Sequence, residues 1–249
     1  MRIAVVNDIH GNLPALEAVL DDVRGAGIDR IVVGGDVFPG PMPHLVLRAL
    51  RDEGVPVDFI YGNGEIAVRE HLAGKVPALV PEAYRPLIRW DADQLDDAER
   101  DRIASWPMTL HLHVPPLGDV LFCHATPRNE NEIFTELTAE DRLLPIFDAA
   151  NAAVIVCGHT HMQFDRMVGR TRVVNAGSVG MPFGPAGADW LLLGPDIELR
   201  HTAYDLDAAA ERIRRSGYPG AEEFAAKYVL NPPTTEQMLN IYGQHELKP

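Results

Sequence analysis

Seven residues of this chain could bind a divalent cation, and each stands directly after a short apolar run. Asp8 and His10 follow the run at 2–6, Asp36 that at 30–33, Asn63 that at 57–61, His124 that at 120–123, and His159 with His161 that at 153–157. Four imidazoles, two carboxylates and one amide, with no thiolate, suit borderline or harder divalent ions such as Mn²⁺, Fe²⁺ or Zn²⁺. Seven ligands are too many for one ion that keeps an open position. Two ions sharing a bridging carboxylate fit the number, about 3.5–4 Å apart, a spacing suited to clamping the attacking and leaving oxygens of a phosphoryl displacement.

The runs that precede these residues are four to seven residues long and apolar on both faces, as buried sheet strands are. In open α/β sheets ligands gather at the carboxyl ends of strands, which is where all seven residues fall. Gly11, Gly34, Gly35, Gly62, Gly64 and Gly158 stand beside them and allow tight turns. Between the first two runs, 13–27 reads as a helix with Leu16, Val19, Leu20 and Val23 on one stripe and Asn12 as its N-cap. A second helix spans 45–50. The first 63 residues thus read β-α-β-α-β, which favours a parallel sheet.

Residues 64–107 contain no convincing strand and read as a helical insertion or cap, with helices near 66–72, 82–90 and 96–106. Asp96 and Glu99 have capping-box form, Asp96 and Arg100 have i,i+4 spacing, and Pro107 marks the end. Its place between ligand-bearing strands predicts that this insertion overhangs the site and selects the substrate. Strands return at 110–114, 120–123, 153–157, 171–175, 188–193 and 197–203, with Gly- and Pro-rich turns that imply hairpins. Helices near 205–216 and 234–242 make a C-terminal extension over 205–249, and residues 1–249 read as one domain.

Composition bounds the rest. The 249 residues are 46% hydrophobic and 23% charged, an ordinary globular balance. The formal net charge of −14 opposes a polyanionic partner, so nucleic acid is disfavoured and a small phosphorylated substrate is expected. The first residues lack a signal-like apolar run and no later run reaches membrane-span length, so the expectation is a cytoplasmic protein without a membrane partner, with a homo-oligomer left open. Cys123 and Cys157, each inside an apolar stretch, read as buried reduced thiols. His111 and His113 alternate with Leu112 and Val114 and read as the wet face of a strand. His44 and His71 read as surface residues.

The motif series Asp8-Ile9-His10-Gly11, Gly35-Asp36, Gly62-Asn63, His124 and Gly158-His159-Thr160-His161 resembles that of the calcineurin-like metallophosphoesterase superfamily. The resemblance runs over about residues 2–180. With Gly40-Pro41-Met42-Pro43 and Asn175-Ala176-Gly177-Ser178-Val179-Gly180 it is similar to a small bacterial and archaeal branch. It implies an α+β fold, a four-layer α/β/β/α sandwich of two mixed sheets. It implies one ion on Asp8, His10, Asp36 and His161 and another on Asp36, Asn63, His124 and His159, with Asp36 the bridge. Asp36, Asn63 and His124 are the catalytic candidates, and Asn63 with Arg128 the substrate contacts. Mn²⁺ is the first choice of metal, with Fe, Zn, Ni or Co as alternatives. The implied reaction is hydrolysis of a phosphodiester or phosphomonoester by metal-activated hydroxide, and the competing function is a ligand-binding or scaffold protein that turns little over.

Two departures stand out. The superfamily usually shows Gly-Asn-His-Asp/Glu where this chain has Gly62-Asn63-Gly64-Glu65, so a general acid, typically worth about 10²–10⁴-fold, is missing. The sequence therefore predicts a preference for activated aryl esters that Gly64→His should narrow. Ala176 and Phe183 stand where related chains often carry Pro and Arg.

Overall fold

The computed structural model describes residues 1–247; of the extension expected over 205–249, the last two residues lie outside that range. The chain opens with β1 (Ile3–Val6), α1 (Leu13–Gly25), β2 (Arg30–Val33), α2 (Pro43–Arg51) and β3 (Val57–Phe59), and the three strands pair in parallel. Asn12 caps α1 by accepting from the Ala15 N–H, as expected of a short polar residue at a helix start. The insertion follows as α3 (Asn63–Leu72), a 3₁₀ turn (Glu82–Tyr84), α4 (Arg85–Gln94) and α5 (Asp97–Ser105). The Asp96/Glu99 capping box is present at α5. Asp96 is thereby occupied, and Arg100 pairs with Asp97 at 3.4 Å rather than with Asp96.

The second half runs through β4 (Thr109–Val114), β5 (Gly118–Cys123), α6 (Glu140–Phe147), β6 (Val154–Cys157), β7 (Phe164–Val168), β8 (Thr171–Asn175), β9 (Ala188–Leu193) and β10 (Ile197–Thr202). It closes with α7 (Leu206–Arg214), α8 (Ala221–Phe224), a π-helical turn (Ala225–Leu230) and α9 (Thr235–Tyr242). The sheets are β10-β9-β1-β2-β3 and β4-β5-β6-β8-β7. Both are mixed: β9 runs antiparallel to β1 and β10, while β5, β6 and β8 are parallel and flanked by antiparallel edges.

Strand alternation builds the layers. Ile3, Val5, Val32 and Leu191 point one way and meet Val120, Phe122, Val154 and Val174 of the other sheet, which makes the inter-sheet core. Ala4, Val6, Ile31 and Val33 point the other way, onto Leu16, Val19 and Leu20 of α1 and onto α2, α4 and α7. Leu121, Ile155, Cys157 and Val173 cover the far face against Leu143, Ile146 and Phe147 of α6. The result is an α+β, four-layer α/β/β/α sandwich. Both cysteines are buried and free, and burial pushes the Cys123 thiol up. Among the described residues no helix is long and apolar enough to cross a membrane.

Three elements escaped the sequence reading. In β7 only Phe164 and Val168 at the two ends are buried, so the edge strand carries no apolar run. Pro145 lies inside α6, where it reads as a helix breaker. The segment 221–230 is part α- and part π-helix, and a change of period hides the apolar stripe.

Candidate metal centre

The seven residues come off the carboxyl ends of β1, β2, β5 and β6 and from the start of α3, and their loops are sewn together by backbone. The Asp8, His10 and Gly11 N–H groups donate to the carbonyls of Gly35 (3.1 Å), Asp36 (3.0 Å) and Val37 (2.9 Å). Gly158 N–H donates to His124 O at 2.8 Å, and Val179 and Gly180 donate to Asn7 O and Asp8 O, each at 3.0 Å. Ser178 Oγ donates to Asp8 O at 2.7 Å, and Asn175 Nδ2 to Gly158 O at 2.7 Å. The late motif Asn175–Ser178 thus holds the early loops.

Five of the seven lie in the left-handed backbone region: Asp8 (φ 52°), His10 (46°), Asp36 (51°), His159 (67°) and His161 (58°). Residues with a Cβ adopt it at a cost of about 1–3 kcal/mol each, and such strain persists where surrounding structure enforces it. Here it turns consecutive side chains toward one point.

Three imidazoles are oriented identically. His10 Nδ1 donates to Pro39 O (3.1 Å), His124 Nδ1 to Gly34 O (2.9 Å) and His161 Nδ1 to Met181 O (2.8 Å). A carbonyl only accepts, so each Nδ1 carries a proton and each Nε2 faces the centre, the arrangement that orients metal-ligating histidines. His10 Nε2 and His161 Nε2 stand 3.3 Å apart, and His161 Nε2 is 3.3 Å from Asp8 Oδ1. Asp36 Oδ2 lies 3.8 Å from His10 Nε2 and 3.5 Å from His124 Nε2. Asp8 Oδ1 is also 3.8 Å from His124 Nε2. Asn63 Oδ1 is 3.1 Å from His124 Nε2. The His159 ring meets that of His124 nearly edge-on at 5.1 Å. All seven are therefore brought to one locus.

The electrostatics favour a positive charge there. Asp8 is fully buried and its Oδ1 has no hydrogen-bond donor among the described residues; its Oδ2 accepts from the His159 N–H at 2.9 Å. Burial alone would raise the Asp36 carboxyl, yet the His124 imidazole beside it, with His10 and the Gly64 N–H, holds it below the ordinary carboxylate range. Burial opposes charge on His124 too, but Asp36 and Asp8 push it up to about 10. Burial, with the neighbouring His124 adding to it, pushes His159 down to about 4. Asp8, His10 and His161 form one group able to hold a cation, and Asp8, Asp36 and His124 another. The donor set and the orphaned Asp8 oxygen fit divalent metal.

Residues 1–194 match the model of the calcineurin-like phosphoesterase superfamily domain. The chain belongs to that superfamily. Membership supports phosphoesterase activity in general and implies divalent metals. The chain is 27% identical over 238 residues to an uncharacterized protein of Methanocaldococcus jannaschii, covering 87% of this chain and 93% of the relative. Among solved structures it is similar to a hypothetical protein from Pyrococcus horikoshii (TM-score 0.77, 19% identity, 94% of this chain and 99% of that one). It is also similar to a metallophosphoesterase from Sphaerobacter thermophilus (TM-score 0.68, 24% identity, 92% and 99%). These structures share the fold.

The superfamily motif that carries Gly64 has a different reason here from a lost acid. A Cβ on Gly64 would lie 2.0 Å from Phe38 O and 3.0 Å from Asp36 Oδ1. The glycine lets α3 press against the β2–α2 loop, and its N–H donates to Asp36 Oδ1 at 2.7 Å. The expected rescue by Gly64→His is therefore sterically closed. Glu65, which sequence reasoning passed over, lies fully buried beneath the site. Its Oε2 accepts from the Asp36 (2.8 Å) and Gly62 (2.7 Å) N–H groups and its Oε1 from those of Val37 (2.8 Å) and Phe38 (3.3 Å). Burial, reinforced by Asp36, pushes Glu65 up to about 7 against those donors. Its signal was the acidic residue three positions after the helix cap Gly62.

Arg128 is not drawn into the cluster. Its Nε and Nη2 are given to Glu132, at 3.1 and 2.7 Å, and Glu132 also accepts from Thr126 Oγ1. His111 and His113 are exposed, as a wet strand face requires. Phe183 stacks on His161 with ring centroids 4.8 Å apart, so the residue standing where relatives often carry Arg instead walls the centre with an apolar face.

Proposed function

We propose that this protein is a dinuclear-metal phosphoesterase hydrolysing phosphodiester or phosphomonoester bonds of a small phosphorylated substrate. The observation that carries the reading is the meeting of Asp8 Oδ1 with the Nε2 atoms of His10 and His161, whose Nδ1 protons go to backbone carbonyls, beside Asp36 Oδ2 within 4 Å of histidines from both sides. In this reading Asp8, His10, Asp36 and His161 hold one ion, Asp36, Asn63, His124 and His159 hold the other, and Mn²⁺ is the first choice. Two such ions would activate water and offset the charge of the phosphoryl oxygens.

The chain's own residues do the positioning. Asp36, anchored through Oδ1 on the Gly64 N–H, presents Oδ2 between the two groups of histidines. The Gly34 carbonyl takes a hydrogen bond from His124 Nδ1 at 2.9 Å and so leaves Nε2 toward the centre. Asn63 turns Oδ1 toward His124 and thereby offers Nδ2 to a substrate oxygen at the positive end of α3. Arg128 would contact substrate only by leaving Glu132, which makes it a weaker contact. Divalent ions at Asp8 and Asp36 reconcile an anionic substrate with the net charge of −14.

The test is elemental analysis of purified protein with turnover of bis-p-nitrophenyl and p-nitrophenyl phosphate under added Mn²⁺, Asp36→Ala serving as control. Two equivalents of metal and metal-dependent hydrolysis lost in the control are expected. Metal without turnover of either ester would favour the ligand-binding alternative, and absence of metal would overturn the site.

A further inference from the structure

Beside the metal centre a cavity of about 120 Å³ opens with His10 and Pro39 in its wall. Its other walls are mainly Tyr84 and Leu87 from the insertion, Met181, and Tyr218, Phe224 and Tyr228 from the C-terminal extension. The rings are ordered: Tyr218 packs edge-on against Trp90 at 5.2 Å and Phe224 at 6.4 Å, and Phe224 against Tyr228 at 5.7 Å. The π-helical turn follows directly on Phe224, with Asn231 N–H reaching back five residues to Ala226 O at 3.1 Å; such turns recur at functional sites. The wall-forming residues 218–228 lie beyond the 1–194 matched by the superfamily model, so this side of the pocket is built outside the domain that defines the superfamily.

We infer that this cavity is the specificity pocket of the metal centre and takes one planar six-membered ring of a phosphoester substrate, an aryl group or a pyrimidine base; the inference rests on the phosphoesterase reading above. Three observations select that occupant. His10 lines the pocket while its Nε2 stands 3.3 Å from His161 Nε2 among the metal-binding groups, so a group bound here is contiguous with a phosphoryl group bound there. The volume is on the scale of the roughly 150 Å³ apolar cavity that takes a single benzene, too small to enclose a fused bicyclic ring system. The walls are aromatic and aliphatic, and among the described residues Glu223 is the one acidic group lining it and no Lys or Arg does. A second phosphate would meet no cation, whereas a ring finds aromatic faces to stack on.

The test is calorimetric binding of methylphosphonate, phenylphosphonate and 1-naphthylphosphonate to the Mn²⁺-loaded protein, which requires no turnover. The part of the tryptophan fluorescence that Trp90→Phe removes, read through the contact of Trp90 with Tyr218, reports occupancy of the pocket in parallel. Phenylphosphonate is expected to bind at least tenfold more tightly than methylphosphonate, with the naphthyl compound no tighter than the phenyl. Two opposite changes should each cut the phenyl-to-methyl ratio below about threefold. Tyr228→Ala removes a wall. Gly220→Val fills the space, because a Cβ there already lies 3.1 Å from Tyr218 and 3.4 Å from Leu87. Equal binding of methyl- and phenylphosphonate, or a ratio untouched by both variants, would overturn the pocket while leaving the phosphoesterase reading intact. A naphthyl gain of tenfold would overturn the single-ring limit. Failure of all three phosphonates to bind a loaded protein that still turns over a p-nitrophenyl ester would overturn the pocket alone, and the same failure with no turnover of either ester would overturn the phosphoesterase reading and this inference with it.

Discussion

Asp8 Oδ1 and His161 Nε2 face each other at 3.3 Å, and His161 gives its Nδ1 proton to the Met181 carbonyl, so that in the neutral ring both facing atoms are acceptors. A buried carboxylate oxygen without a donor costs about 1–3 kcal/mol or more, and a cation between the two atoms would convert that cost into binding. Strain in the backbone points the same way, since Asp8 and His161 both sit at positive φ. Folding here assembles acceptors first and leaves their satisfaction to an ion.

That relationship predicts opposite effects of Asp8→Asn with and without metal. The amide can keep an oxygen on the His159 N–H and turn its NH₂ toward His161 Nε2. The metal-free variant should therefore be more stable than the metal-free parent by about 1 kcal/mol. The Mn²⁺-loaded variant should be less stable than the loaded parent, because a ligand charge is gone. Thermal unfolding with chelator and with saturating Mn²⁺ checks both signs. A variant destabilised in both states would show that Asp8 Oδ1 is satisfied without an ion.

Glu65 supplies a second test. Its two oxygens accept from four backbone N–H groups that shape the loops of Asp36 and Gly62. In Glu65→Gln one oxygen becomes a donor aimed at two donors, whichever way the amide turns. A loss of about 3 kcal/mol in urea unfolding is expected, together with weaker Mn²⁺ binding, because the loops that place Asp36 and Asn63 would relax. Unchanged metal affinity alongside the lost stability would confine Glu65 to the fold.

The strand ends and the candidate ligands beyond them were legible because a buried strand cannot carry a charged residue, so Asp8, Asp36 and His124 could stand only where the apolar runs stop. The layering followed from β-α-β-α-β and from runs apolar on both faces. Glu65 was not legible, since a carboxylate three residues after a helix start reads equally as a solvated capping residue, and only burial reveals four donors around it. Gly64 was misread for a related reason. Its absent side chain looks like a missing function until the Phe38 carbonyl is seen where a Cβ would go. Nor could Tyr218, Phe224 and Tyr228 be linked to His10, because that contact crosses about two hundred residues and depends on how the C-terminal helices dock.

Gly64 accordingly carries a prediction contrary to the motif comparison. Gly64→Ala should cost about 2–3 kcal/mol by overpacking against Phe38 O. Gly64→His should lower the thermal midpoint further and leave the ratio of p-nitrophenyl to alkyl ester hydrolysis unimproved at equal metal content. A variant with parental stability and a narrowed ratio would show that the loop yields and that the imidazole acts as the absent acid.

Asp91 of α4 ties the insertion to the edge of the site, accepting the Gly40 N–H through both oxygens at 3.1 and 3.3 Å from a fully buried position. Burial pushes its carboxyl well above the usual range, with the nearby Glu65 adding to the rise. The sign of the consequence follows from linkage. Below pH about 4 both folded and unfolded chains hold this proton, and its contribution to stability is complete. Above that the unfolded chain releases the proton while the native one keeps it, so stability falls by up to about 1.4 kcal/mol per pH unit until the native carboxyl ionises. Asp91→Asn can still accept from Gly40 and has no proton to release. Urea unfolding of both proteins in the presence of chelator at pH 5, 7 and 9 should show the variant gaining on the parent as pH rises. A stability difference that stays constant across that range would mean Asp91 is ionised in the native protein throughout, held by the Gly40 N–H more strongly than burial opposes it.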